Sequence, residues 1–352
     1  MSPRRPGERA LLAEIRRRFG SLSPPSPAGI GDDAALLHSR STATLVSTDC
    51  LVEGRHFRRD EPPFLLGRKS LDVNLSDIAA MGGRPEAFLL TLALPADLHS
   101  RFLDRFFDGL AAAARQHAVR LVGGDTSGSP GPLMISITIL GRPALPGRGA
   151  VLTRSGARPG DGIWVTGPLG GSATGRLLLD RGWRIRLSRD GTFVAGARRP
   201  GSGTDKRLVT RATEALARHL DPVPRLAIGL ALARGRLASA AIDLSDGLST
   251  DLFRLAEASG VGARLLAPAL PIADSARALA PELGADPERL ALDGGEDYEL
   301  LFTVPPSKEP RVRLMEALRI GQVTPRRRGL MLAYPDGKET PLPPRGWDHL
   351  AR

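Results

Sequence analysis

Residues 240 to 253 read AAIDLSDGLSTDLF, which places Asp243, Asp246 and Asp251 within nine residues, beside a glycine and at the end of an apolar run. Carboxylates gather in the same way elsewhere in the chain. GIGDDAALL carries Asp32 and Asp33 after two glycines, STDC carries Asp49, and GGDTSG carries Asp125 just past another apolar run. In the run from Phe64 to Met81, Ser70, Asn74 and Asp77 fall at i, i+4 and i+7 beside the apolar stripe Leu71, Leu75 and Ile78. On a helix that spacing projects the amide and the carboxylate together. Taken singly, each of these is an ordinary turn aspartate or a solvated helix face. Taken together, Asp33, Asp49, Asp77, Asp125, Asp243 and Asp246 all sit near strand ends or on a helix face able to reach them. Two carboxylates about 4 Å apart repel by about 4 kcal/mol at an effective dielectric of about 20, so their convergence requires cations. An all-oxygen donor set without His or Cys suits a hard ion, magnesium before zinc, and carboxylate-bound magnesium characteristically also grips substrate phosphates.

The elements expected to position these residues alternate between strand and helix. Strands are expected at 43–52, in AFLLTLALP, in VRLVGGD and in LMISITILG, with helices at 64–81 and 97–117 between them. GIWVTG, ASAAID, VGARLL and YELLFTV are the strands of the second half, with helices at 171–181 and 247–259. The first twenty residues fit an amphipathic helix on Leu11, Leu12, Ile15 and Phe19 better than a transit peptide. Gly and Pro punctuation divides the chain into an N-terminal α/β domain, 1–148, and a C-terminal α/β domain, 149–352. Both show mixed strand and helix order with acidic residues where strands meet turns, the place where ligands of such sheets gather.

Composition narrows the function. At 352 residues, with 41% hydrophobic and 25% charged side chains, the chain has the make-up of a globular protein with room for two cores. Its apolar runs are too short to span a bilayer. Cys50 is the only cysteine, which excludes an intramolecular disulfide and a cysteine metal cluster and suggests a reducing, cytoplasmic setting. The net charge of +11 invites a nucleic-acid reading. However, residues 182 to 207 hold seven basic and two acidic side chains, so one Gly- and Arg-rich segment, expected to be a mobile loop, accounts for +5 of it. Aromatic residues are only 4%, too few for the stacking surface of a single-strand binder, so nucleic acid is not the expected partner. No G-x-x-x-x-G-K-[ST] and no H-R-D occur, which excludes P-loop and protein-kinase scaffolds. The G-x-G-x-x-A of GIGDDA follows a Pro-rich loop where a dinucleotide site needs a strand.

Eight segments then fall in a recognisable order: GIGDDAALL, STDCLVEGRHF, DVNLSDIAAMGGRP, LVGGDTSG, TRSGARPGD, AIDLSDGLSTDL, GGEDYELLFTV and GWDHL. Over nearly the whole chain this series resembles the thiamine-monophosphate kinase family, of the aminoimidazole ribonucleotide synthetase-like superfamily. The resemblance implies two α/β domains with mixed sheets, the N-terminal domains pairing into a β-barrel in a homodimer. It also implies transfer of the γ-phosphate of ATP to thiamine monophosphate with several Mg2+ ions. By the same resemblance, Asp33, Asp49, Asp77, Asp125, Asp243 and Asp246 fall on the magnesium-binding positions, with Ser47 and Thr48 as further oxygen ligands. Gly124, Asp125, Arg154 and Ser245 fall on ATP-contacting positions, and His56, Glu296 and Trp347 on substrate-contacting ones. Arg154 offers a planar fork for phosphate oxygens, and Trp347 an aromatic face for a cationic thiazolium. His117 stands where the family can carry a tyrosine near the adenine, so stacking there is open. No general base is implied. A selenophosphate synthetase would call for an N-terminal Cys nucleophile, and a hydrogenase maturation factor for a Pro-Arg-Ile-Cys tail.

Overall fold

The computed structural model describes residues 8–19, 31–38, 43–145, 151–187, 193–197 and 206–347. The Pro-rich stretch at 20–30 and the junction at 146–150, where the sequence reading divides the domains, lie outside them.

The first half holds α1 (Glu8–Phe19), β1 (Ala35–His38), β2 (Ala43–Val52), α2 (Pro63–Ala80), β3 (Gly83–Pro95), α3 (Ser100–Gln116), β4 (Arg120–Ser129) and β5 (Met134–Pro143). Its sheet runs β1-β2-β5-β3-β4. All neighbours are antiparallel except β3 and β4, whose parallel pairing requires a crossover, supplied by α3. Leu71, Leu75 and Ile78 of α2 join Phe88, Phe106 and Ile137 in one core, as the stripe predicted. Helices α2 and α3 touch backbone to backbone: a Cβ on Gly67 would lie 2.0 Å from the Phe106 carbonyl oxygen, and one on Gly109 only 1.8 Å from that of Phe64. β4 is different, because it lies at the sheet edge with Leu121 and Val122 54% and 55% exposed.

The second half holds β6 (Gly162–Val165), α4 (Gly171–Asp180), β7 (Trp183–Leu187), β8 (Phe193–Ala197), α5 (Lys206–Leu220), α6 (Leu226–Gly235), β9 (Ala240–Asp243), α7 (Leu248–Ser259), β10 (Val261–Leu266), α8 (Asp274–Leu279), α9 (Pro287–Asp293), β11 (Leu300–Val304), β12 (Leu318–Pro325), β13 (Leu330–Ala333) and β14 (Glu339–Pro341). A seven-stranded sheet runs β14-β13-β10-β12-β6-β11-β9, with only β10 and β13 parallel. The basic segment is a correction to the sequence reading. It contains the β7–β8 hairpin, with Trp183 opposite Ala197 and Leu187 opposite Phe193, and Ile185 and Ala195 pack against α5. The rest of the segment, 188–192 and 198–205, lies outside the described residues.

α2 sits between the two halves. Its Leu stripe faces the first sheet, while Ala79 and Ala80 pack with Leu232 and Ala233 of α6 and with Phe302 of β11. A solvated face is therefore not available to it: Lys69, Ser70, Asp72, Asn74 and Ser76 are all buried. Polar groups so placed cost free energy unless partnered, which makes α2 the helix to follow into the site.

Candidate active site

Three carboxylates converge where the two halves meet. Asp33 at the entry to β1, Asp77 on α2 and Asp243 at the end of β9 bring ligand oxygens within 4.8 Å of one another. Ser47 of β2 donates to Asp77 Oδ2 at 2.5 Å, and Ser76 of α2 donates to Asp243 Oδ2 at 2.7 Å, so each carboxylate is aimed by a neighbouring hydroxyl. Burial and the charges of Asp49, Asp243 and Asp33 push the Asp77 carboxyl well above its ordinary range. Burial and Asp33 do the same to Asp243. Arg154 supplies one counter-charge. Its Nη2 lies 2.6 Å from Asp33 Oδ1, and its backbone N–H donates to Asp32 Oδ1 at 2.7 Å. Although burial opposes its charge, Asp33 holds this guanidinium above its usual range. Asp33 Oδ2 is buried and has no hydrogen-bond partner among the described residues. One guanidinium against three carboxylates, with an orphaned oxygen among them, is a donor set that fits a hard divalent cation.

The turn after β9 ties this trio to a second group. The Ser245 carbonyl accepts the Glu296 N–H at 2.7 Å, and the Asp246 carbonyl accepts the Trp347 N–H at 2.9 Å. The Asp246 carboxylate meets Arg254 Nη1 at 2.5 Å. Asp251, which the opening stretch grouped with the other two, instead accepts the N–H groups of Asp246 and Gly247 and so fixes the turn. Burial, then Asp246, pushes its carboxyl up to about 7. Gly346 packs so closely that a Cβ there would lie 2.1 Å from the Asp246 carbonyl oxygen.

The expected substrate-contacting residues gather around that turn. The Trp347 ring, 43% exposed, is covered by the Arg55 guanidinium at 5.3 Å, a cation–π distance. His56, the next residue, accepts the Val52 N–H on Nδ1 at 2.9 Å and lies near enough to Glu296 to act on its carboxylate. Glu296 lies between Lys69 Nζ at 3.1 Å and His219 Nδ1 at 3.2 Å.

Other expected residues are placed differently. Asp49 shares the Ser47 face of β2, its N–H donating to Asn74 Oδ1 at 3.2 Å. Alternation puts Thr48 on the opposite face, where its hydroxyl donates to the Ile137 carbonyl, so that hydroxyl is not directed at the trio. Gly124 and Asp125 are exposed on β4, outside the trio. Gly124 has a packing reason of its own, since a Cβ there would lie 1.8 Å from the Leu90 carbonyl oxygen of β3. His117 caps α3, with Nε2 3.3 Å from the buried Asp72 of α2.

Lys69, His219, Glu61 and Ser76 escaped the sequence reading. The first two lack any spacing signal, because their partner Glu296 lies far away in the chain. Ser76 was findable, since it stands beside Asp77 on a helix whose every face turned out to be buried.

The AIR synthase related protein, N-terminal domain family matches residues 31–142, and the corresponding C-terminal domain family matches 158–331. The thiamine-monophosphate kinase of Escherichia coli K12 is 40% identical over 355 residues, 98% of each chain. Among solved structures, AaThiL complexed with AMPPCP and TMP is 32% identical with a TM-score of 0.81, covering 99% of this chain and 100% of that one. The thiamine-monophosphate kinase of Stenotrophomonas maltophilia K279a is 36% identical with a TM-score of 0.70, covering 94% and 97%. With its two α/β halves, mixed sheets and motif order matched along nearly its full length, the chain belongs to the thiamine-monophosphate kinase family of phosphotransferases.

Proposed function

We propose that the chain transfers the γ-phosphate of ATP to thiamine monophosphate, yielding thiamine diphosphate, with magnesium at Asp33, Asp77 and Asp243. The buried trio with its orphaned Asp33 oxygen carries this reading. The AMPPCP and TMP bound to a relative of the same fold supply the substrate classes. Ser47, which donates to Asp77, and Asp49, whose charge acts on it, are the expected ligands next to the trio, with Asp246 and Asp125 the further ones the reading requires. Bound there, magnesium supplies the positive charge that lets two phosphates approach each other.

The chain's own residues do the rest. Arg154 neutralises Asp33 through Nε and Nη2, and its guanidinium is the group expected to meet phosphate oxygens when these take the place of that carboxylate. Gly124, Asp125, Arg154 and Ser245 are the residues expected to contact ATP. Trp347, Glu296 and His56 border the acceptor's cationic ring. No general base is needed, because the acceptor is a phosphate monoester whose second pKa is about 6, so its oxygen is already largely deprotonated at neutral pH. What remains is to hold donor and acceptor in line, a positioning task that favours direct transfer.

The exposed apolar edge of β4 supports a homodimer through the N-terminal sheets, since an uncovered edge with Leu121 and Val122 outward is a template for pairing. A division of the chain at 148/149 and a cytoplasmic setting complete the reading. Among the described residues no helix is long and apolar enough to cross a membrane. Steady-state assays with ATP, magnesium and either thiamine monophosphate or thiamine test the function. Turnover of the monophosphate alone is expected, and turnover of thiamine alone would overturn the assignment.

A further inference from the structure

Glu296 is 23% exposed in its side chain, whereas Lys69 of α2 and His219 of α5, which flank it, are each 1% exposed. The carboxylate is thus the part of this array that a ligand can reach, and its partners lie behind it. The contacts are divided, Lys69 on Oε1 and His219 on Oε2. Among the described residues, Lys69 Nζ has no hydrogen-bond partner beyond its ion pair with Glu296, and His219 Nε2 has none. Burial pushes His219 down to about 3, which favours its neutral form, and its Nδ1 also lies 3.1 Å from Ser172 Oγ. Burial works against the Glu296 charge, but Lys69 and then His219 hold its carboxyl below the ordinary range.

The surrounding charges leave Lys69 committed to this carboxylate. Glu61, which faces it from the β2–α2 connection, is 4% exposed, and burial pushes its carboxyl up to about 7. Arg176 of α4 adds positive charge around the same point. The backbone is held as firmly. Glu296 and Tyr298 take φ of +62° and +50°, left-handed conformations that cost free energy outside glycine. They are locked by the Glu296 N–H on the Ser245 carbonyl and the Tyr298 N–H on the Leu244 carbonyl. A conformation this constrained, ending in a carboxylate that is the accessible member of a buried array, is built to present that carboxylate.

We propose that Lys69 and His219 are positioning residues for the acceptor, each holding one oxygen of Glu296 so that its carboxylate faces the acceptor's cationic ring. This rests on the function proposed above. The test is steady-state kinetics of the full-length protein with Lys69→Met, which keeps the length and removes the charge, and with Lys69→Arg, Glu296→Gln and the double variant Lys69→Met/Glu296→Gln. The Michaelis constant for thiamine monophosphate should rise about tenfold or more in Lys69→Met, with that for ATP within about twofold. Lys69→Arg should restore part of the loss, and the double variant should be no worse than the weaker single one, as expected of coupled residues. Should Lys69→Met fail to melt cooperatively, His219→Gln, which keeps a donor toward Glu296 in a shorter reach, is expected to show a smaller rise of the same selectivity. A lowered melting temperature with both Michaelis constants unchanged, or both raised alike, would overturn the inference and leave these residues a structural role. The wild type is assayed first. Without turnover of thiamine monophosphate the function itself fails, whereas turnover with an unaltered Michaelis constant in the variants defeats the positioning role alone.

Discussion

Replacing Asp77 by Asn separates a metal site from a structural one. At 4.8 Å, the separation bounding the trio, two ionised carboxylates repel by about 3.5 kcal/mol at an effective dielectric of about 20. Arg154 offsets Asp33, so the repulsion on Asp77 comes mainly from Asp243 and Asp49, and burial, the larger cause, adds to it. Both oppose ionisation, so without a cation Asp77 is pushed toward its protonated form. Asn is then close to an isostere of the group it replaces, and its carbonyl can still accept the Ser47 hydroxyl. The metal-free melting temperature should stay within about 3 °C of wild type, on the order of 1 kcal/mol for a chain of this size. The rise in melting temperature that magnesium gives the wild type should largely vanish, and turnover should fall by about two orders of magnitude. Thermal melts with and without magnesium, read beside turnover, check both. A variant that melts far lower without metal yet keeps the full magnesium increment would refute the reasoning and make the trio a structural knot.

Glu61→Gln tests a second buried carboxyl. The unfolded group ionises near 4.5 and the folded one near 7, so between those values the folded state binds more protons and stability falls as pH rises. The stability difference between variant and wild type, read from thermal melts, should widen in the variant's favour from about pH 4.5 to about pH 7, by up to about 1.4 kcal/mol per pH unit, and a difference flat with pH would contradict this. Truncation before Gly346 removes Trp347 and should raise the Michaelis constant for thiamine monophosphate far more than that for ATP. Equal effects would assign the tail to stability. Leu121→Asp puts a charge on the exposed β4 edge and should shift the native mass toward the monomer, and an unchanged mass would place the contact elsewhere.

Legibility followed periodicity. The ten residues of β2 and the helix at α2 were readable because β-branched runs and an i, i+4, i+7 stripe are local signals. β4 extends past the expected VRLVGGD to Ser129, since Gly124 is required by the Leu90 carbonyl beside it rather than by a turn. The β7–β8 hairpin was missed although Trp183, Ile185 and Leu187 alternate with Arg184 and Arg186, because the arginines dominate the composition. The carboxylates of the trio were named from their motifs, but Arg154 as the internal counter-ion of Asp33 depends on a contact across 121 residues. Lys69 and His219 are the same case. A lysine on a helix reads as solvated until a second layer buries it, and that burial is decided by the packing of α2 against both halves.

Direct transfer between two phosphates at the aspartate site is the central claim, and a single-turnover experiment with γ-labelled ATP, magnesium and enzyme in excess over thiamine monophosphate tests it most directly. The label should appear in the terminal phosphate of thiamine diphosphate with no labelled protein at any quench time, and enzyme incubated without acceptor should stay unlabelled. Stoichiometric label on the protein that later passes to the acceptor at a competent rate would contradict direct transfer and make one of these aspartates a nucleophile.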